Sequence, residues 1–335
     1  MLDTDEPEAI DVVEVTDVDP LLSNRDLPLR AMYFPLGFPL EVVSNSPSVM
    51  EAADQSWRHF RSRFPCDPLE LRIGVTENGD DGDVLPEPVF RLQWNLLSNI
   101  ADASNFVVSD LSNGRSFGWI TRTTAESALY LRYHFLEASA LSMVATLRAA
   151  PLHAACVSPC GRGMLLCGDS GAGKSSLAFA GARAGWAFTS DDSTYIPLDR
   201  NDRLVVGNCH QIRFRSSGVA LFPELRGRPV TPRATGKPSI EVPTYELPQL
   251  AVADSSNIEY IVFLNRKDAG NPRLIPVSRE SILPWFKHSL MTASESYTAQ
   301  EDALRRLLQA EAFELCYRDL DSAVERLEML AVTGR

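Results

Sequence analysis

An α/β fold is predicted from three features of the sequence. An apolar run, Met164-Leu165-Leu166-Cys167, enters a glycine-rich octapeptide and leaves it through Ser176-Leu177-Ala178-Phe179-Ala180, so strand gives way to helix across a glycine turn. Strand-like runs recur beyond it at Trp186-Ala187-Phe188-Thr189, Thr194-Tyr195-Ile196 and Ile258 to Leu264. Ahead of it, short strands alternate with turn clusters, which predicts an amino-terminal α+β domain over 26–150, preceded by an acidic disordered tail over 1–25. The boundary with the carboxy-terminal domain, 151–335, is placed near Pro151.

In chain order, Leu40 to Val43 reads as a strand. Ser46 is a candidate N-cap with Pro47 at the first helical position, and Met50, Ala53, Trp57 and Phe60 share one face of a helix running to Phe60. Strands are expected at Leu69 to Val75, Val89 to Leu97, Asn105 to Leu111 and Ser116 to Thr121, separated by Asn78-Gly79-Asp80-Asp81-Gly82-Asp83 and by Asn113-Gly114. The first of these turns lacks the full pattern of a calcium loop and reads as a solvated hairpin. Ala125 to Ala149, with Leu129, Leu131, Phe135, Leu141, Val144 and Leu147, predicts one apolar helix joining the two domains.

The octapeptide is Gly168-Asp169-Ser170-Gly171-Ala172-Gly173-Lys174-Ser175, followed by Ser176. Its spacing lets backbone N–H groups curl around phosphate oxygens while the next helix aims its positive end at the same anion. Lys174 then reaches the β/γ phosphates of a nucleotide such as ATP, and the Ser175 hydroxyl ligates Mg²⁺. After the helix, Gly185 is a stop, and the strand Trp186 to Thr189 ends in Ser190-Asp191-Asp192. Two carboxylates at a strand end beside such a loop suit metal binding and proton abstraction. Upstream, His153 begins the strand Ala154 to Val157, which is expected to pair with Met164 to Cys167 through the turn Pro159 to Gly163.

Further on, strands are expected at Leu204 to Val206 and Gln211 to Phe214. Pro223, Pro229, Pro232, Pro238, Pro243 and Pro248 then punctuate a long segment without periodicity. That segment carries Arg226, Arg228, Arg233 and Lys237 in an otherwise acidic chain. Phosphoryl transfer draws on cations that mobile loops deliver, so Lys237 beside Gly236 is the preferred candidate, then Arg233, then Arg266 at the end of the Ile258 strand. The chain closes with helix Ile282 to Met291 with Pro284 in its first turn, helix Ala299 to Leu308, strand Ala312 to Tyr317 and helix Leu320 to Val332.

Composition excludes several classes. Of the net charge of −12, eight negative charges precede the first basic residue, Arg25, so the remainder carries only −4. An acidic chain without a basic patch is a poor ligand for nucleic acid, which is not expected as a partner. No apolar run approaches a membrane span and Met1-Leu2-Asp3-Thr4-Asp5 is not a signal start, so a cytoplasmic protein that does not enter a membrane is expected. The six cysteines contain no C-x-x-C pair and read as reduced thiols. Hydrophobic content of 44% in 335 residues supplies ample core.

The run Leu152-His153-Ala154-Ala155, then Gly168 to Ser175, then Gly185 and Asp191-Asp192 resembles the catalytic domain of HPr kinase/phosphorylase over about Leu152 to Ile196. The resemblance implies a P-loop core related to phosphoenolpyruvate carboxykinase and transfer of a phosphoryl group between ATP and a protein serine. By position it implies that Lys174 and Ser175 hold phosphates and Mg²⁺, that Asp191 supports the metal, that Asp192 is the base and that His153 lies beside the transferring phosphoryl group. The family's second signature has only a partial echo in Gln211 to Val219, with Gln211 where a metal-binding glutamate is expected, which speaks against the reverse, phosphorylase reaction. The chain looks closer to the divergent HPr-kinase-like proteins that accompany bacterial peptide-modification systems.

The leading expectation is therefore an ATP- and Mg²⁺-dependent kinase acting on a Ser or Thr hydroxyl of a small protein or peptide. A small-molecule kinase or ATPase, and a nucleotide-binding regulator without turnover, stay open as alternatives. A homo-oligomer is also left open.

Overall fold

The computed structural model describes residues 26–76, 85–231, 238–267, 270–290 and 296–335. The expected tail, the expected hairpin turn at Asn78 to Asp83, and the candidate cations Arg233 and Lys237 lie outside the described residues. The structure is mixed α/β, built on sheets of seven, nine and three strands.

The seven-stranded sheet lies in the amino-terminal region. Its spatial order is Leu29–Tyr33, Leu40–Ser44, Leu69–Thr76, Arg115–Thr121, Phe106–Asp110, Leu96–Ile100 and Val89–Gln93. Strands Leu40–Ser44 and Leu69–Thr76 run parallel, so the chain must cross back between them. The crossover carries helix Pro47–Trp57, which buries Val49, Ala52, Ala53 and Trp57 at helical spacing. Ser46 precedes that helix but makes no side-chain cap; its N–H instead donates to Ser44 Oγ at 3.1 Å. The segment expected as one strand from Val89 to Leu97 is a hairpin that turns at Trp94, whose φ of 61° is left-handed.

The stretch expected as one helix from Ala125 to Ala149 divides. Short helices Arg122–Glu126 and Ala128–Leu131 lead into a π-helical segment, Arg132–Glu137, and then into helix Ala138–Leu147. Ala149–Leu152 leaves the helix and pairs as a strand with Thr194–Pro197, so Pro151 lies within that strand. Apolar periodicity cannot distinguish a buried helix from such a strand when the run is short.

Strand Ser255–Arg266 is the spine of the nine-stranded sheet. It runs parallel to Gly163–Cys167 on one side and to Glu311–Tyr317 on the other, while its first residues pair antiparallel with Leu204–Gly207. Ala155–Ser158 pairs antiparallel with Gly163–Cys167, as expected from the intervening turn. Helices Lys174–Arg183 and Leu320–Thr333 cover one face through Leu177, Ala178, Leu327 and Leu330. Helices Arg279–Lys287 and Tyr297–Leu307 cover the other through Ile282, Phe286, Leu304 and Leu307. Each such buried Leu or Phe contributes roughly 1.5–3 kcal/mol of transfer free energy. Pro284 falls in the second turn of its helix, because Ser278 caps it by accepting from Ser281 N.

The three-stranded sheet, Gln211–Phe214, Ser239–Pro243 and Val230–Thr231, occupies part of the segment expected to be irregular. Strands of two and five residues are too short to leave a periodic signal. Phe214 anchors this sheet on the Lys174 helix, lying 5.0 Å from Phe179 and 5.6 Å from Phe222 between ring centroids. Tyr195 and Val206 of the nine-stranded sheet pack into the amino-terminal core, so the two regions share one apolar seam. All six cysteines are unpaired thiols. Among the described residues no helix is long and apolar enough to cross a membrane.

Where Gly163 enters the strand beside Ser255–Arg266 the register shifts, and a Cβ at that glycine would stand 2.1 Å from the Asn257 carbonyl oxygen. Backbone cannot yield as a flexible side chain does. Gly163→Ala is expected to lower the unfolding free energy by about 1–3 kcal/mol, the cost of overpacking, measured as a fall in the urea midpoint. An unchanged midpoint would mean that the strands are not this closely apposed.

Candidate functional site

The glycine-rich loop lies at the carboxyl end of the parallel strand Gly163–Cys167, the edge at which α/β sheets bind ligands. Gly168, Gly171 and Gly173 have φ values of 146°, 96° and 101°. An L side chain rarely adopts that backbone, which is what allows the chain to fold over itself before the helix opens at Lys174. Tyr317, at the end of the parallel strand Glu311–Tyr317 on the far side of Ser255–Arg266, donates to Ala172 O at 3.2 Å and steadies the loop.

Lys174 is 5% exposed. Its Nζ donates to Gly168 O at 2.8 Å and to Asp169 O at 3.3 Å, and lies 3.0 Å from His153 Nε2. On the far side of the ring, His153 Nδ1 is 3.3 Å from Asp192 Oδ1. An ammonium only donates and a carboxylate only accepts, so this arrangement assigns the tautomer: Nε2 accepts from Lys174, and Nδ1–H donates to Asp192. Burial pulls the Lys174 pKa below its ordinary value, and the nearby Asp192 opposes that.

Ser175 Oγ donates to Asp191 O at 3.2 Å. The buried Asp191 carboxylate accepts the Arg213 backbone N–H at 2.8 Å. Asp191 and Asp192 are therefore held differently although adjacent. The strand Ala187–Ser190 has already ended before them, so its alternation no longer dictates where they point.

Together these residues line a cleft of about 470 Å³, within the range of small-molecule sites. Of the sequence-predicted set, His153, Ser170, Gly171, Gly173, Lys174, Ser175, Ser176, Asp191 and Asp192 line it. Gly168, Asp169 and Ala172 do not, and serve through their carbonyl groups instead.

Of the basic residues singled out in the sequence, Arg226, Arg228 and Arg266 do not line the cleft, whereas Lys237 and Arg233 lie outside the described residues. Arg228 pairs with Glu246 at 2.7 Å, and Arg266 donates to Arg318 O at 3.3 Å. Among the described residues the arginines on the cleft, beside Lys174, are Arg213 and Arg215, which sequence reasoning missed. Arg215 donates to Ser170 Oγ across the loop. The signal was the strand Gln211–Phe214 itself, whose period of two sets positions 211, 213 and 215 on one side. Ser239, also on the cleft, is buried, and its hydroxyl has no hydrogen-bond partner among the described residues.

Arg213 closes the site from behind. Its guanidinium lies 2.9 Å from Glu241 and 3.9 Å from Glu137, and 4.7 Å above the Tyr133 ring. Arg132 approaches Glu137 at 3.2 Å, and Ser56 Oγ donates to the same carboxylate at 2.9 Å. Tyr133 OH donates to Glu241. With its carboxamide nitrogen facing Glu241 at 3.1 Å, Gln211 joins this network. Burial pushes the Glu137 carboxyl above its usual range, and Arg132 and Arg213 draw it back.

No family model matches the chain, and no curated protein matches it. Among solved structures it is similar to the Hpr(Ser) kinase/phosphatase from Coxiella burnetii, at 14% identity with a TM-score of 0.33, over 55% of this chain and 95% of that one. The function proposed below is carried by the geometry of this chain's own residues.

Arg213→Met removes the cation between two buried carboxylates and is expected to cost about 3–5 kcal/mol at neutral pH, the scale for breaking a buried pair. The sign of its pH dependence follows from Glu137. A carboxyl raised in the folded state contributes stability at low pH that is lost as pH rises through its folded pKa, and the variant raises it further. The difference from wild type should therefore narrow as urea unfolding is repeated from pH 7 down to pH 5. A constant difference would remove the electrostatic account.

Proposed function

We propose that the chain is an ATP- and Mg²⁺-dependent kinase that transfers a phosphoryl group to a Ser or Thr hydroxyl of a small protein or peptide. The observation that carries this reading is the line Lys174–His153–Asp192 at the mouth of the glycine-rich loop, with Ser175 against Asp191. A cation for phosphate, a hydroxyl and carboxylate for metal, and a second carboxylate for a proton are the components of phosphoryl transfer.

Among the described residues no group of three or more His, Cys, Asp or Glu is arranged to hold a metal by itself. Mg²⁺ delivered with nucleotide phosphates needs only one or two protein ligands, and the Ser175 hydroxyl and the Asp191 carboxylate, both on the cleft, would supply them. When bound, Mg²⁺ neutralises charge on the phosphates. Lys174 exchanges its loop carbonyls for phosphate oxygens, the loop N–H groups hold the same anion, and Arg215 stands across the cleft as a further cation. Asp192 takes the proton from the acceptor hydroxyl while the hydroxyl oxygen bonds to the γ phosphorus, and the bond from that phosphorus to the bridging oxygen breaks to release ADP. His153 orients Asp192 through Nδ1–H. The phosphoryl acceptor is a hydroxyl because a neutral oxygen needs such a base, whereas a carboxylate acceptor does not.

Lys174→Ala should abolish transfer from γ-labelled ATP in a variant that melts normally. Retained transfer would end the assignment of the loop. Asp192→Asn should hold ATP·Mg²⁺ affinity within a few-fold and cut turnover by roughly 10²–10⁴, the scale of lost general-base help. Asp191→Asn should instead raise the Mg²⁺ concentration needed for half-maximal rate. Equal losses of nucleotide affinity in both variants would mean that the two carboxylates share the metal.

A further inference from the structure

A second, smaller cleft of about 130 Å³ opens behind the first, on the seam between the amino-terminal region and the nine-stranded sheet. The two clefts share Asp191, Asp192, Ser193 and Arg213, so the Asp pair is their common wall. The outer wall of the second cleft is apolar and comes wholly from the amino-terminal region: Pro35, Leu36, Trp57, Phe60 and Leu141. Leu36 sits there with a left-handed φ of 54°, a conformation that costs free energy and is kept where the surroundings demand it.

On the reading that the larger cleft takes ATP, we propose that the smaller one is the acceptor site. It would take a Ser or Thr residue of a peptide with an apolar residue beside it in sequence, presented by the amino-terminal region to Asp192. Three observations carry this. A donor and an acceptor must meet at one base, and Asp192 is reached from both clefts. The second cleft has no cation to spare for an anionic metabolite, since Arg213 is committed to Glu241 and Glu137. Glu137 also lines it but is paired with Arg132 and Arg213; the rest of its polar edge, Ser56, Ser190, Ser193, Asn208 and Gln211, is uncharged and suits amide groups, and its apolar wall suits a hydrophobic neighbour.

A peptide's apolar residue seated on that wall would displace water from beside Asp192, which favours transfer to the peptide over hydrolysis. In the step the peptide oxygen forms the new bond to the γ phosphorus, its proton passes to Asp192, and ADP departs with the bridging oxygen.

The test is a library of short peptides with a central Ser or Thr and randomised neighbours, incubated with γ-labelled ATP and Mg²⁺ and sequenced for phosphorylated products. The wild-type chain should select an apolar residue next to the acceptor. Leu141→Phe, which narrows the cleft, should reduce transfer to the preferred peptides by at least about tenfold while ATP·Mg²⁺ affinity, measured by calorimetry, is unchanged. Leu36→Gly, which suits the left-handed backbone and widens the cleft, should shift selection to larger apolar residues. If Leu141→Phe does not fold, Leu36→Gly decides alone. An unaltered sequence preference in the folded variants, or no phosphorylated peptide from a wild-type chain that binds ATP·Mg²⁺, overturns the proposal. A wild-type chain that fails to bind ATP·Mg²⁺ overturns the nucleotide reading instead.

Discussion

The buried contact of Arg213 with Glu241 and Glu137 is the constraint on which the site's construction depends. Arg213 belongs to the three-stranded sheet, Glu137 to the amino-terminal region, and their meeting fixes how those parts stand together. Isolated buried ions cost several kcal/mol each, so the cluster persists only because Arg132 and Arg213 face two glutamates and Tyr133 and Ser56 satisfy further lone pairs. The backbone N–H of the same Arg213 holds the Asp191 carboxylate. One residue thus joins two regions through its side chain and orients a candidate metal ligand through its main chain.

Toward the glycine-rich loop the electrostatics are simpler. Lys174, His153 and Asp192 form a line of cation, neutral ring and anion, with contacts of 3.0 and 3.3 Å. The loop carbonyls that accept from Lys174 are local and easily released, because they belong to a turn rather than to a strand ladder. Lys174 is thus held in the site by contacts that cost little to exchange. Burial weakens its hold on the proton, yet the adjacent carboxylate favours the charged form.

Much of the carboxy-terminal fold was legible because its signals are local. Glycines that need positive φ, an apolar strand before them and helix formers after them located the loop from Gly168 to Ser175. Strand Ser255–Arg266, too, was visible as a continuous apolar run. What the sequence hid was set by long-range contact. Ala149 and Ala150 fit an apolar helix and become strand only because Thr194–Pro197 offers them a ladder. The division of the Val89 run into a hairpin depends on Trp94 accepting a left-handed backbone, which tryptophan does not advertise. Arg213 and Arg215 looked like an ordinary strand's polar face, and Arg228 of the proline-rich segment pairs with Glu246.

The pair Asp191-Asp192 is the place where these lines of argument converge. Two adjacent carboxylates have the same intrinsic chemistry, and both line the two clefts, so position alone gives them no separate roles. Their partners do. Asp191 is buried, its carboxylate held by a backbone donor and its carbonyl beside the Ser175 hydroxyl, which suits a fixed ligand that keeps its charge. Asp192 is more open, faces the His153 ring N–H at 3.3 Å and lines both clefts. Environment rather than identity separates acid–base partners in enzymes. The same separation, produced where a strand ends one residue before the pair, is what the proposed division between a metal carboxylate and a base rests on.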